Sequence, residues 1–192
     1  MPSITLFPKS TALVLIDLQG GITSLPVEPW SGNQVVENAT ALAKRFRKIN
    51  APVFLVRVAF PAGAAALKLI TDAKAPLPPS EPKGWSELAV EPEETDVLIL
   101  KRQWGAFYGT ELDLQLRRRQ VETLVLGGIA TNFGVESTAR NANELGYQQV
   151  FAEDAMGSFS KKNHDFAVQN IFPRLGRVRR TAEILEALRE NH

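Results

Sequence analysis

Three separated stretches of this sequence carry residue types that could do chemistry together. Asp17 closes the apolar run Thr11 to Ile16, Lys101 closes a second run from Val97, and the turn Gly127-Gly128-Ile129-Ala130-Thr131-Asn132-Phe133-Gly134 follows the start of a third. An acid, a permanent cation and backbone amides at a helix start make a proton-transfer site with built-in stabilisation of an anion. Each feature also has a purely structural reading. Asp17 could cap the turn after a strand, Lys101 beside Arg102 could be a solvated strand end, and the glycines could serve close packing of helix on sheet. The glycines could also cradle a phosphate, as in a nucleotide-binding module, but their spacing matches neither G-x-G-x-x-G nor G-x-x-x-x-G-K-[ST]. Trp104, Phe107 and Tyr108 follow Lys101 closely and could line an apolar pocket or fill core.

Other chemistries lack parts. The chain has no cysteine, so neither a thiolate nucleophile nor a disulfide can form. A serine hydrolase needs G-x-S-x-G at a strand-to-helix elbow, and the nearest stretch, Gly134 to Thr138, reads G-V-E-S-T. His164 and His192 are the only histidines, too few for a histidine-rich zinc site or a histidine-centred triad; no metal and no cofactor is expected. Arg117, Arg118 and Arg119 suit the negative end of a helix dipole, and Arg174, Arg177, Arg179 and Arg180 read as surface or interface.

The elements that would position these groups follow from hydrophobic periodicity. Thr11 to Ile16 is apolar without alternation, as a strand buried on both faces must be. Val35, Ala39, Leu42, Phe46 and Ile49 recur at helical spacing, ending at Asn50 before Pro52. Val53 to Ala59 and Val97 to Lys101 predict two more strands, and Thr110 to Arg119 a helix that turns Leu112 and Leu116 inward. Thr123 to Ile129 and Tyr147 to Glu153 predict strands joined by a helix that carries Val135, Ala139, Ala142 and Leu145 and stops at Gly146. A helix at Lys161 to Ile171, a short strand at Gly176 to Arg179 and a helix at Thr181 to Arg189 complete the chain. This alternation predicts an α/β fold: a mostly parallel, Rossmann-like six-stranded sheet between two helical layers, with ligands beyond the carboxyl ends of the strands. Phe60 to Thr95 interrupts it and holds half of the prolines, including Pro76, Pro78, Pro79, Pro82 and Pro92. We read it as an insertion over the pocket or against a neighbouring subunit.

Whole-chain properties bound the function. A length of 192 residues suits one domain, and 44% hydrophobic with 22% charged residues is the balance of a globular protein, which disfavours disorder. A formal net charge of +1 gives no field to gather nucleic acid or an anionic membrane, so a small-molecule substrate or another copy of the chain is the expected partner. No apolar run approaches the ~20 residues of a membrane span, and Met1 to Ser10 has no leader pattern. With the lack of cysteine, this predicts a cytoplasmic protein.

The motifs T-A-L-V-L-I-D-L-Q at Thr11 to Gln19, L-K-R-Q-W-G-A-F-Y-G-T at Leu100 to Thr110 and G-G-I-A-T-N-F-G-V-E-S-T-A-R at Gly127 to Arg140 resemble those of the isochorismatase-like hydrolases. That family includes isochorismatases, nicotinamidases and carbamoyl-substrate amidases, and the resemblance covers nearly the whole chain. It implies that Asp17 is the acid/base, Lys101 its cationic partner and Gly134 the position where amidases of the family carry the nucleophilic cysteine. It also implies a cis peptide between Ile129 and Ala130 that turns amides toward an oxyanion; substrate contacts are expected from Gln19, Trp104, Phe107, Ile129, Ala130 and Phe133, and the Phe60 to Thr95 insertion with the aromatics after Lys101 predicts a homo-oligomer. Glycine at 134 closes the covalent amidase route. Family members that hydrolyse the vinyl ether of isochorismate need only an acid, but Phe60 stands where those enzymes show glutamine. The metal-binding aspartate and histidines of nicotinamidases have no counterparts around Arg57 to Gly63. The expectation is therefore a hydrolase acting on a small molecule by cysteine-independent chemistry; the alternative is a catalytically silent relative that binds a small ligand or scaffolds an oligomer.

Overall fold

A computed structural model describes residues 4–59, 70–72 and 82–188. Six parallel strands form one sheet: β1 Thr11–Ile16, β2 Val53–Val58, β3 Val97–Lys101, β4 Thr123–Ile129, β5 Gln148–Gly157 and β6 Arg177–Arg179, in the order β3-β2-β1-β4-β5-β6. Helices α1 Gly20–Thr23, α2 Gly32–Lys48, α3 Leu112–Arg118, α4 Glu136–Glu144, α5 Lys161–Phe166, α6 Phe172–Leu175 and α7 Thr181–Ala187 connect or flank them. The expected α/β fold is the one observed.

Alternation along β1 divides the core. Leu13 and Leu15 face Val35, Leu42 and Phe46 of α2, together with Ile184 of α7. Ala12, Val14 and Ile16 face the opposite layer, with Leu112 and Leu116 of α3 and Ala139 and Ala142 of α4. All six residues of β1 are buried, which explains their uninterrupted apolar pattern. The long helix α2 begins with a capping box, Ser31 accepting from the Gln34 N–H while Gln34 reaches back to the Ser31 N–H.

Several boundaries differ from the periodicity. The strand expected to end at Glu153 continues to Gly157, because its register against β4 slips: Leu126 pairs with Phe151 and Gly128 with Met156, leaving residues 152–155 opposite Gly127 alone. The charges that read as a strand end are consumed there. Asp154 accepts from the N–H and hydroxyl of Thr181, both at 2.7 Å, and Glu153 holds Arg180. The helix expected from Lys161 to Ile171 runs as α5, a π-type turn Ala167–Ile171 and then α6. Most of the proline-rich insertion, including Pro76, Pro78 and Pro79, lies outside the described residues, as do Phe60 and His192.

Candidate active site

The strand order reverses between β1 and β4, the place where open parallel sheets leave a crevice beyond their carboxyl ends. Asp17 follows β1 and Gly134 lies in the turn after β4, on the two sides of that crevice. Lys101 ends β3, two strands from β1 and so roughly 10 Å away in the plane of the sheet. Only a long side chain crosses that gap. Lys101 Nζ donates to Asp17 Oδ2 at 2.6 Å and to the Gln103 carbonyl at 3.0 Å. Both side chains are buried, with 2% exposure for Lys101 and 7% for Asp17.

Asp17 leaves β1 in the left-handed region, φ 54°, with its N–H on the Val56 carbonyl at 2.8 Å. Aspartate tolerates this conformation better than most non-glycine residues. Gln19 then turns its amide back to β2, donating to the Val58 carbonyl at 3.0 Å and accepting from the Val58 N–H at 2.7 Å. Its side chain thus extends the β1–β2 ladder after the main chain has turned away. Gln19 is fully buried, with both ends of its amide engaged by Val58.

Electrostatics separates the two oxygens of Asp17. Oδ2 is held by Lys101, whereas Oδ1 is buried and accepts no hydrogen bond from the described residues. Loss of water pushes the Asp17 carboxyl up to about 6, against the opposing pull of the Lys101 ammonium, its hydrogen bond and the neighbouring backbone N–H of Val58.

Gly134 lies directly over this carboxyl. A Cβ built there would stand 3.0 Å from Asp17 Oδ2, 3.0 Å from Ile16 Cγ2 and 3.5 Å from the Trp104 carbonyl oxygen. A side chain at 134 would therefore point at Asp17, and its absence lets the carboxyl and the turn close together. Gly128 is required for a different reason: at φ 131° its Cβ would meet the Ile16 carbonyl oxygen at 2.1 Å, so β4 could not pair closely with β1. The Ile129–Ala130 peptide is cis. From Ala130 the chain enters a π-type turn, Thr131–Val135, whose first carbonyl, that of Ala130, accepts from the N–H of Phe133 at 3.1 Å and of Val135 at 3.3 Å.

The aromatic expectations divide. Trp104 is exposed and its ring packs 4.8 Å from that of Phe133, so the two flank Gly134. Phe107 is buried in the core, its ring stacked on Tyr147 at 5.9 Å. Ile129 and Ala130 are buried at the strand end. Sequence reasoning set His164 aside for want of catalytic partners. The structure buries it against the turn, with Nδ1 2.9 Å from Thr131 Oγ1. No motif could have shown that pairing, because 33 residues separate the two.

A shallow polar cleft lies to one side, between the start of α4 and α5, lined by Asn132, Glu136, Lys162, Asn163, Phe166 and Gln169 among others; neither Asp17 nor Lys101 reaches it. Among the described residues, no cluster of three His, Asp or Glu side chains could hold a metal ion. No described helix is long and apolar enough to cross a membrane.

Comparison with known proteins gives the family. The family described as Isochorismatase domain matches residues 11–183. The uncharacterized isochorismatase family protein YecD of Escherichia coli O157:H7 is 50% identical over 182 residues, 94% of this chain and 97% of that one. The corresponding protein YwoC of Bacillus subtilis is 51% identical over 184 residues, 94% and 95% of the two chains. Among solved structures, an isochorismatase family protein from Burkholderia thailandensis superimposes with a TM-score of 0.91 at 46% identity, covering 97% of this chain and 98% of its own.

Proposed function

Because the chain belongs to the isochorismatase family, we propose that it hydrolyses a small molecule by cysteine-independent acid/base chemistry, with Asp17 as the acid/base and Lys101 as its cationic partner. The observation that carries this reading is the division of labour on one carboxyl: Oδ2 is tied to Lys101 at 2.6 Å, and Oδ1 is buried without a hydrogen-bond partner among the described residues. The large majority of buried side-chain polar atoms in folded proteins have a hydrogen-bond partner. Here Oδ1 is the atom left to give or take a proton.

A carboxyl raised to about 6 leaves a protonated fraction of about a tenth at pH 7, so both forms are at hand. Vinyl-ether hydrolysis uses the protonated form. Asp17 protonates the terminal alkene carbon, water adds to the resulting oxocarbenium carbon, and the carboxylate recovers a proton from that water. The hemiketal then collapses to a ketone and an alcohol. Water-driven amide or carbamoyl hydrolysis would start from the ionised form, with Asp17 as general base. In either case Lys101 steadies the anion, while Trp104 and Phe133 supply apolar surface to the substrate and the main chain of Ile129 and Ala130 bounds the site. The same reading takes the protein as a cytoplasmic homo-oligomer; Leu98 and Leu100, exposed on the edge strand β3, are consistent with a covered face.

The test is a hydrolysis screen over vinyl ethers, amides and carbamoyl compounds with wild type, Asp17→Asn and Gly134→Cys. Asp17→Asn keeps the shape and removes the transferable proton, so activity falls by ~10² or more. Gly134→Cys must first displace the Asp17 carboxyl by a few tenths of an ångström from its 3.0 Å contact, so only weak amidase activity is expected from it. Full activity in Asp17→Asn rejects the reading and leaves ligand binding or scaffolding in its place.

A further inference from the structure

His164 lies on α5, outside all three strand-end motifs, yet it is only 4% exposed, and its Nδ1 meets Thr131 Oγ1 at 2.9 Å inside the protein. Thr131, fully buried, is the first residue of the turn that carries Gly134 over Asp17. That turn departs from regular helix, since the Ala130 carbonyl accepts from residues both three and five positions ahead. A π-type turn is an uncommon state of the backbone, and a side-chain bond to its first residue biases it toward a single geometry. We propose that His164 is a positioning residue: through Thr131 it holds the turn Thr131–Val135 down on the Asp17 carboxyl and shields that carboxyl from bulk solvent.

The chemistry of the pair supports this role. A hydroxyl facing an imidazole in the interior costs free energy unless the two are bonded, and plain packing is served better by apolar side chains. Burial pushes the His164 imidazole down to about 4, with Asp165 opposing and Lys161 assisting, so it is neutral near pH 7. Among the described residues, Lys101 is the charged group that acts on the Asp17 carboxyl. The raised proton affinity of Asp17 therefore depends on dryness, and dryness depends on the turn staying closed.

The inference rests on Asp17 being the working acid, but its test does not require a substrate. The Asp17 carboxyl is titrated by 13C NMR in wild type, Thr131→Ser, Thr131→Val, His164→Asn and His164→Leu, and exchange of the Val135 amide is followed in the same samples. Thr131→Ser keeps the hydroxyl, and His164→Asn puts an amide nitrogen near the place of Nδ1. Both should titrate within about 0.3 of wild type. Thr131→Val and His164→Leu lose the bond; Asp17 should then fall by about 0.5–1 toward the ordinary carboxylate range, with Val135 exchange at least about tenfold faster. A role limited to global stability would speed exchange everywhere and leave the Asp17 midpoint unmoved. If Thr131→Val does not fold, the His164→Leu and His164→Asn pair decides. Equal midpoints and equal Val135 exchange across bonded and unbonded variants would overturn the proposal. A wild-type midpoint near 4 would count against Asp17 as the acid and not against the tie, which Val135 exchange then judges alone.

Discussion

Replacing Lys101 by methionine tests the buried pair most directly, because stem length and most packing are kept while the charge 2.6 Å from Asp17 is removed. In the native protein burial holds the Asp17 carboxyl at about 6, above its unfolded value of 3.8, with Lys101 pulling down. A group raised in this way contributes stability that is complete below the unfolded value and is lost as pH rises through the folded one. Without Lys101 the opposing pull disappears, and a neighbouring opposite charge is worth about 1–3 units. Asp17 in Lys101→Met should therefore titrate between about 7 and 9, and the loss of stability should continue to that pH instead of stopping near 6. At 1.36 kcal/mol per unit, the variant's deficit relative to wild type should grow by about 1.4–4 kcal/mol from pH 5.5 to pH 9. Below pH 5 the sign favours the variant, because wild type then holds a buried ammonium beside a neutral acid. Urea unfolding at pH 5, 7 and 9 measures the difference. A deficit that is constant across this range would refute the account of Asp17 as a dry carboxyl whose proton affinity is set by burial against Lys101.

Three further outcomes follow from single contacts. Gln19→Ala removes both bonds to Val58 and leaves buried backbone groups unpaired, so it should cost about 2–4 kcal/mol in denaturant melts while changing apparent affinity for any substrate little. Gly128→Ala should be more severe than an ordinary strand substitution, since the added methyl meets the Ile16 carbonyl oxygen at 2.1 Å; failure to accumulate as soluble protein, or a loss of about 3 kcal/mol or more, is the expected result. The lowered proton affinity of His164 has the opposite linkage to that of Asp17. The stability it contributes is whole above about 6.5 and declines as pH falls through about 4, by up to about 3 kcal/mol. His164→Asn should flatten the acid limb of a stability profile measured by thermal melts between pH 7 and pH 4.

Much of the site is local in character and therefore legible in the chain. A buried parallel strand has to be apolar throughout, so Thr11 to Ile16 announces itself, and the first polar residue after such a run stands at the carboxyl end of the sheet, where α/β proteins bind ligands. Asp17, Lys101 and the turn to Gly134 could be picked out on that ground alone. The same logic could not say which way a side chain turns after the strand ends. Gln19 and Phe107 have residue types suited to substrate contact, but one repairs the β1–β2 ladder and the other packs on Tyr147. The apolar run stops short of the strand's end because Glu153 and Asp154, inside β5, serve Arg180 and the start of α7.

Only the assembled sheet decides the chemistry. The order β3-β2-β1-β4-β5-β6 is a property of how connections cross the sheet, and it is what sets Asp17 and Gly134 on opposite sides of one crevice and brings Lys101 within reach. The tie between His164 and Thr131 spans 33 residues and leaves no periodic trace. Asp17 is the same residue in the unfolded chain, where it is an ordinary carboxylic acid. It becomes a candidate proton donor near neutral pH because folding strips its water, leaves Oδ1 without a hydrogen bond from the described residues and sets the Lys101 ammonium against it, and those are facts of packing that composition and spacing do not encode.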